Sequence, residues 1–554
     1  MYQCLTIVEI LEVIFEYIDG HDYTDGLPQC KFRKQSALRT LAALACTCRT
    51  FSDIAQDVLW REIPDIFVLV RYLLPRKVRK YRAFERTLYL TSTTTDAVWD
   101  RLDKFIPRIR SIGRRLPYLT AVRCHLDGPS VLQPLEGYLH RKHGGSFPNL
   151  TDVVFQYHWS HPAYARLLLL RQLLTVRFPL EVFGDEIQDN GSFDDLETDE
   201  VTKLSIIDAF PNMHSLRTVW MQDELLSEPP IMSHLASLST LEELCMDSHY
   251  SAPDTRVPQI TKRFSSLRKL HLTGLGSVDD GTFLSFINPA SLQSLTFVWI
   301  HLYSDEDIGG MHLRRLLSIL STIRALQLQS IRAAYRGDER SLTNLLIEDR
   351  GIKRYLRSLP QGAAYLRSLC DLTSLQRIEL EIDVVIQLSD DFLVQLASSL
   401  PHLQCLSLVP GILYPFDLAE ETELPTFQGL LALVEHCPHL SVVKLAVRTT
   451  FPTETGDTNA EPSPLLSSHT MRVLDLFATP VGDGDDHNMI SAFIMFTFPN
   501  LERFRVVLPA AEDESYTAEE RDHACARWSS VMEDILAAEV AGGKDVDRAK
   551  WHVR

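Results

Sequence analysis

Apolar residues recur along this chain with two different periods. Near the N-terminus they fall at helical spacing. Leu5, Ile10, Leu11, Ile14, Phe15 and Ile18 form one stripe, opposed by Glu9, Glu12 and Glu16. After a polar gap from Gly20 to Ser36, Leu38, Leu41, Ala42, Leu44, Ala45 and Cys48 form a second stripe. Ile54, Ala55, Val58 and Leu59 form a third, closed by Trp60. The spacing predicts three short helices. Helices of that size bury little core alone, so part of their apolar surface is assigned to a partner.

Beyond residue 80 the period changes. The unit is an apolar residue, two variable positions, an apolar residue, one variable position and a third apolar residue. It reads as Leu150/Val153/Phe155, Leu216/Val219/Met221, Leu241/Leu244/Met246, Leu267/Leu270/Leu272 and Leu292/Leu295/Phe297. Later copies are Leu375/Ile378/Leu380, Leu403/Leu406/Leu408, Leu440/Val443/Leu445, Met471/Leu474/Leu476 and Leu501/Phe504/Val506. Two further copies are read at Leu119/Val122/Cys124 and Ile323/Leu326/Leu328, and a degenerate one near Leu173/Val176/Phe178. Segments between copies carry helical patterns: Ser389 precedes Phe392, Leu393, Leu396 and Leu400 as a cap, and Gly429–Cys437 and Met489–Phe496 read as helices. Phe-Pro-Asn or a relative (Phe147, Phe210, Leu400, Cys437, Phe498) introduces several strands, because proline stops the helix and redirects the chain.

Two resemblances follow. The helical module is similar to the F-box, through Leu5, Glu9-Ile10-Leu11, Ile14-Phe15, Ile18, Leu44-Ala45, Cys48-Arg49, Phe51 and Leu59-Trp60. Val8 stands where family members usually carry proline, and the first loop is long. This resemblance implies docking on the Skp-type adaptor of a cullin-RING ubiquitin ligase, with Leu5, Ile10, Leu11, Ile14, Leu41, Leu44, Leu59 and Trp60 as contacts. The second pattern resembles leucine-rich repeats. The asparagine usual after the strand is replaced by residues such as Leu275 and Thr479, which predicts irregular turns.

The fold class expected is therefore an α/β repeat. A three-helix F-box-like module (1–63) precedes a basic helical linker with a first irregular repeat (64–115). An irregular solenoid (116–510) and a C-terminal capping helix with a tail (511–554) follow. Parallel strands are expected on the concave face and helices on the convex one, with insertions at 181–203, 335–370 and 449–469. In the capping helix, Ala524, Trp528, Val531, Ile535 and Leu536 are expected to bury the end of the stack. Alternation along strands turns the variable positions outward. Trp220, Gln222, His271, Gln327, Glu379 and Arg505 are thus candidates to touch a target protein, as are Asp247, Lys269, Glu381 and Asp475. Trp220 reads either as an exposed anchor or as an aromatic covered by the acidic loop of residues 181–200.

Composition narrows the picture. Apolar content of 45% excludes wholesale disorder, and no run approaches the ~20 apolar residues of a membrane span. The N-terminus lacks the basic region of a secretory signal. Ten scattered cysteines suit a cytoplasmic or nuclear location. The net charge is −18, yet residues 61–123 hold fifteen Arg/Lys against six Asp/Glu, densest over Arg76–Arg82. Residues 181–200 hold nine acids and no base. The basic run reads as a solvated connector, with nucleic-acid or membrane-surface contact the weaker alternative; neither partner is expected.

No phosphate loop, nucleophile motif or metal-ligand spacing is present; Cys46-x-Cys48, His436-Cys437-Pro438-His439 and Asp483–His487 do not meet the geometry of zinc or calcium sites. The chain reads as a non-catalytic substrate receptor without cofactor, or, as the alternative, a repeat scaffold whose helices only cap the stack.

Overall fold

The structure is a computed structural model. It describes residues 8–18, 21–23, 31–33, 35–82, 87–91, 96–113, 125–155, 162–178, 200–222, 228–247, 263–273, 286–300, 327–336, 366–382, 388–410, 424–448, 467–477, 487–507, 518–541 and 551–553, with residues 225, 284 and 320. Two compact units divide the chain: residues 1–247 with 258–266, and residues 248–257 with 267–554.

The first unit opens with α1 (Val8–Ile18), α2 (Gln35–Ala45) and α3 (Arg49–Arg61). Leu11 and Phe15 from α1, Leu41 from α2, and Ile54, Ala55 and Val58 from α3 form a closed core. Phe51 meets Phe15 edge to face, with centroids 5.7 Å apart. Within the long first loop, β1 (His21–Tyr23) and β2 (Lys31–Arg33) pair antiparallel.

The segment read as a basic helical linker with a first irregular repeat holds a helix and short strands. Asp65 caps α4 (Ile66–Leu73) by accepting from the Phe67 N–H at 2.8 Å, and Ile66, Phe67, Leu69 and Val70 are buried. β4 (Arg79–Arg82), β5 (Thr87–Leu90) and β7 (His125–Leu126) make a small sheet in that order. β3 (Glu62–Ile63) and β6 (Ser111–Ile112) are already strands of the repeat sheet, pairing in parallel. That sheet continues through β8 (Asp152–Val154), β9 (Thr175–Arg177), β10 (Thr218–Gln222) and β11 (Glu243–Asp247). Ile112, Val153, Val176, Val219 and Leu244 share one register position and all are buried. The degenerate copy at Leu173/Val176/Phe178 is thus a strand of the sheet, whereas Leu119/Val122/Cys124 lies outside the described residues.

The second unit stacks nine parallel strands in chain order: β12 (Lys269–Thr273), β13 (Ser294–Ile300), β14 (Ser330–Arg336), β15 (Arg377–Ile382), β16 (Cys405–Pro410), β17 (Val442–Ala446), β18 (Val473–Phe477), β19 (Arg503–Val507) and β20 (Trp551–Val553). The middle residue of each copy meets its neighbour directly, as Leu270↔Leu295↔Ile331↔Ile378↔Leu406↔Val443↔Leu474↔Phe504. Each of these is buried, and burying a side chain of this size contributes about 1.5–3 kcal/mol.

One copy differs from its sequence reading. β14 aligns Ile331 with Leu295 and Ala333 with Phe297, so the copy is Leu328/Ile331/Ala333 rather than Ile323/Leu326/Leu328. The motif matched both registers because Leu328 belongs to each. Lateral pairing chose the later one, and Gln327 consequently precedes the strand instead of lying on it.

The turn before the strand repeats across both units. The carbonyls of Phe147, Leu400, Cys437 and Phe498 accept from the N–H groups of Leu150, Leu403, Leu440 and Leu501, at 3.1–3.3 Å. Phe210 makes the same turn to Met213 at 3.0 Å, three residues earlier relative to its copy. Hydroxyl and amide side chains tie successive turns. Thr470 Oγ1 donates to the Leu440 carbonyl at 2.9 Å, and Asn500 Nδ2 to the His469 carbonyl at 2.9 Å.

The helices connecting strands match expectation: α10 (Asp390–Ser399), α11 (Phe427–His436) and α12 (His487–Thr497). Before them in the chain come α5 (Asp96–Trp99), α6 (Gln133–His143), α7 (Pro162–Leu168), α8 (Glu200–Ala209) and α9 (Pro229–Ser237) in the first unit. Ser389 caps α10 through the Phe392 N–H at 3.2 Å. The Asp390 carboxylate then reaches across to α11, accepting from Thr426 N (2.8 Å), Thr426 Oγ1 (2.7 Å) and Gly429 N (3.0 Å). The C-terminal helix α13 (Ala518–Ala541) buries Ala524, Trp528, Val531, Met532 and Ile535, while Leu536 is half-buried. Beyond it the expected tail supplies β20, which extends the sheet beside β19.

The expected insertions lie mostly outside the described residues. Their described ends are structured. Residues 200–203 open α8, Tyr335 and Arg336 finish β14, and Arg367–Asp371 forms a 3₁₀ turn.

Candidate functional site

Two surfaces are candidates, and the first is the outer face of α1. Helical spacing sends Leu11 and Phe15 into the module core, with Ile18 partly buried against it. The same spacing leaves Val8 (48% exposed), Ile10 (37%), Val13 (66%), Ile14 (38%) and Tyr17 (87%) outside. A helix apolar on both sides needs a second cover, since large apolar side chains in one patch mark an interaction site.

The expected adaptor contacts separate on this basis. Ile10 and Ile14 are exposed. Leu11 and Leu41 are wholly buried in the core, so their side chains hold the module together and do not face an outside partner. Leu44 and Leu59 are partly buried against the same core. Trp60 packs on Phe105, ring centroids 4.6 Å apart, which commits much of it to the chain's own first repeat. Leu5 lies outside the described residues. Val13 and Tyr17 were missed, although their position opposite Leu11 and Phe15 on the same wheel was a readable signal.

α3 is fastened to the following turn. The Arg108 guanidinium donates to the Asp53 carbonyl at 2.8 Å, pairs with the Asp53 carboxylate at 3.5 Å, and binds Asp57. Arg61 bridges back to Glu16 of α1 at 2.8 Å. The module is therefore held to the repeat that follows it.

The second candidate is the strand face opposite the core. In the first unit it is closed where Trp220 stands. That indole is 3% exposed, with the Arg177 guanidinium 4.9 Å from its ring, and its strand neighbour Cys245 is buried as well. Trp220 is therefore a covered aromatic and not an exposed anchor. The Gln222 side chain lies outside the described residues.

In the second unit the face carries charge. Register aligns His271, Thr296, Arg332, Glu379, Ser407, Lys444, Asp475 and Arg505. His271 is half-buried, and Gln327 is exposed ahead of β14. Glu379 bridges Arg377 (2.7 Å) and Arg332 (3.6 Å). Burial, then the Glu379 charge, pushes the neighbouring Cys405 thiol up to about 11, so it stays protonated and unreactive at neutral pH. The Asp475 carboxylate is wholly buried and gives one oxygen to both Arg503 Nη2 (2.9 Å) and Arg505 Nη2 (3.2 Å). Its other oxygen has no hydrogen-bond partner among the described residues. Arg332, Arg377 and Arg503 were missed as members of this face; the last two follow from counting back two residues from Glu379 and Arg505.

Nearer the strand ends the same face turns apolar. Ala446 and Phe477 are buried with Leu424, and Val409 packs on them. Variable strand positions are thus not uniformly solvated.

Among the described residues no group of three or more His, Cys, Asp and Glu side chains could hold a metal ion. No helix among them is long and apolar enough to cross a membrane.

The class defined so far is an α/β repeat protein with a three-helix N-terminal module. No family model matches the chain, and no curated protein matches it. Among solved structures it is similar to a chain in the crystal structure of a Rad7 and Elc1 complex in yeast. That match has 11% identity and a TM-score of 0.34, and covers 70% of this chain and 86% of that one. It is also similar to a chain in the crystal structure of a TLR13–ssRNA13 complex, at 13% identity and a TM-score of 0.25. That match covers 74% of this chain and 54% of the other. At these values neither likeness carries an argument about fold or function.

Proposed function

We propose that this chain is the substrate-recognition subunit of a Skp-cullin-F-box ubiquitin ligase, acting in the cytoplasm or nucleus. The observation that carries the reading is the outer face of α1, where Val13, Ile14 and Tyr17 stand exposed on a helix whose other side is already buried. A Skp-type adaptor covers that face, and the charged strand face of the second unit holds the target protein. On this reading the chain's contribution is proximity between the target and the ligase, with no chemical step of its own.

The test is binding of the full-length protein to a purified Skp-type adaptor, beside a Val13→Asp/Tyr17→Asp variant. Both substitutions lie on the surface, so the melting temperature stays unchanged while adaptor binding is lost. If the unsubstituted protein does not bind the adaptor, the reading fails.

The second reading is a repeat scaffold whose helices only cap the stack. The Arg108 clamp on α3 and the Trp60–Phe105 contact favour it, since both spend module surface on the chain itself. Under that reading, the Val13→Asp/Tyr17→Asp variant and the parent behave alike towards the adaptor.

A further inference from the structure

The basic run of residues 71–82 plays no part in either reading, and the structure folds it as the end of α4, a 3₁₀ turn and the outer strand β4, on which Arg79 and Lys80 alternate sides. Arg71 and Tyr72 lie on the last turn of α4, Arg76 and Lys77 on a 3₁₀ turn, and Arg79 and Lys80 on β4. The Arg71 guanidinium sits 5.6 Å from the Tyr72 ring centre and 6.0 Å from that of Tyr81, which joins the helix end to the strand. Arg71, Arg76, Lys77 and Lys80 are exposed, and Arg79 is half-buried between them.

What sets these cations apart is that they follow closely on one another and none is paired. Elsewhere in the same unit several basic side chains find carboxylates, among them Arg61 with Glu16, Arg108 with Asp53 and Asp57, Lys142 with Asp100, Arg166 with Glu136 and Lys203 with Glu228, while unpaired ones such as Arg39, Arg49 and Arg171 stand apart in sequence. Among the described residues, Arg71, Arg76, Lys77, Arg79 and Lys80 have no ion pair. In a chain of net charge −18, five neighbouring cations without a carboxylate are an outlier that a bound anion would relieve. Arg79 already feels the strain. Burial, then the charges of Arg76 and Arg71, holds its pKa below the ordinary guanidinium range.

We infer that this edge, reached from both sides of β4, binds an acidic segment of a partner protein through Arg71, Arg76, Lys77, Arg79 and Lys80. Two observations favour carboxylates over a nucleic acid. The tyrosine rings that could stack bases are already engaged by Arg71. The −18 charge of the chain also repels a long polyphosphate more than a short run of acids. Because β4 is paired with β5 inside a sheet, the run does not act as an unfolded linear signal. Charge on a sheet's outer strand can also serve to block edge-to-edge association, but here three of the five cations lie before the strand. The inference holds whether or not α1 docks an adaptor.

The experiment uses the full-length protein and a fluorescein-labelled deca-glutamate peptide, followed by anisotropy. Saturable binding is expected below about 100 μM at 50 mM salt, weakening about tenfold at 200 mM. An Arg76→Glu/Lys77→Glu/Lys80→Glu variant weakens it tenfold or more, and the milder Lys77→Ala/Lys80→Ala variant gives a partial loss at unchanged melting temperature. Absence of saturation, or equal binding by the variants, overturns the inference. So does tighter binding of a single-stranded oligonucleotide carrying ten phosphates, which would make this a nucleic-acid surface. Self-association of the reversal variant without peptide binding by the parent would instead make the charges an edge guard, and overturns it too.

Discussion

In the repeats of the second unit, the middle residue from Leu270 to Phe504 is buried in every copy, because each strand is covered by the next. In the three-helix module the same hydrophobic effect closes a core with six buried side chains among the described residues, five more packed partly buried against it, and leaves Val13, Ile14 and Tyr17 of α1 outside. A stack generates its own cover as it grows. Three short helices do not, so apolar side chains of α1 remain at the surface. The comparison teaches that exposure of apolar residues carries information in the module and little in the repeats.

The sharpest way to break the comparison is to cut one core residue in each region. Leu406→Ala and Leu11→Ala each leave a cavity and should cost about 2–5 kcal/mol. Val13→Ala, on the outer face of α1, should stay within about 0.5 kcal/mol. Hydrogen exchange read by mass spectrometry localises the effect. Leu11→Ala should lose protection over residues 8–61 and keep it over 403–506. If Leu11→Ala were as mild as Val13→Ala, the assignment of Leu11 to the core would be wrong.

A smaller loss probes how neighbouring repeats interlock. A Cβ on Gly429 would lie 2.6 Å from Asp390 Oδ1 and 2.8 Å from Leu393 Cδ1. Gly429→Ala should therefore cost about 1–3 kcal/mol by pushing α11 off α10, read as a fall in the denaturation midpoint. An unchanged midpoint would mean the two helices are free to separate.

A smaller loss again is expected where the module meets its first repeat. Arg108 is mostly covered, but Asp53 and Asp57 are well exposed, so solvent screens the pairs and Arg108→Ala should cost only about 1 kcal/mol. Faster exchange at the C-terminal half of α3 is the signature; uniform exchange across the module would show that the clamp holds nothing.

Much of the fold was legible in the sequence, because the three-residue apolar motif is repeated with little disguise from Leu150 to Val506. The missed strands are the informative ones. β3, β6 and β20 are two or three residues long, with only one or two apolar positions each, too few for a periodicity to register. They exist because a neighbouring strand offers its edge. The copy at Ile331 was misplaced for the related reason that a local motif can be read in two frames, and pairing with β13 decides between them.

The candidate surfaces divide along the same line. Helical spacing in the sequence identified a stripe on α1, yet it could not say which of Ile10, Leu11, Ile14 and Phe15 meet α3 and which meet solvent, since only the placement of a second helix breaks that symmetry. Alternation along strands named Glu379 and Arg505 as outward. The partners that fix them, Arg332, Arg377 and the shared Asp475 carboxylate, were set by lateral register. Trp220 was readable as an aromatic at an outward position; that it is covered depended on neighbours such as Arg177, which lies 43 residues earlier in sequence.

What the sequence by itself determined is the repeat: its period, its buried positions, its helix stops and the surplus of apolar side chains at the N-terminus. These are local, written in spacing and residue type. The tertiary structure decided everything that depends on which neighbour arrives: the frame of an ambiguous copy, the cover over Trp220, the commitment of Trp60 to Phe105, and the five cations left without a carboxylate among the described residues. Long-range contacts choose among locally equivalent side chains, and that choice is absent from any single stretch of chain.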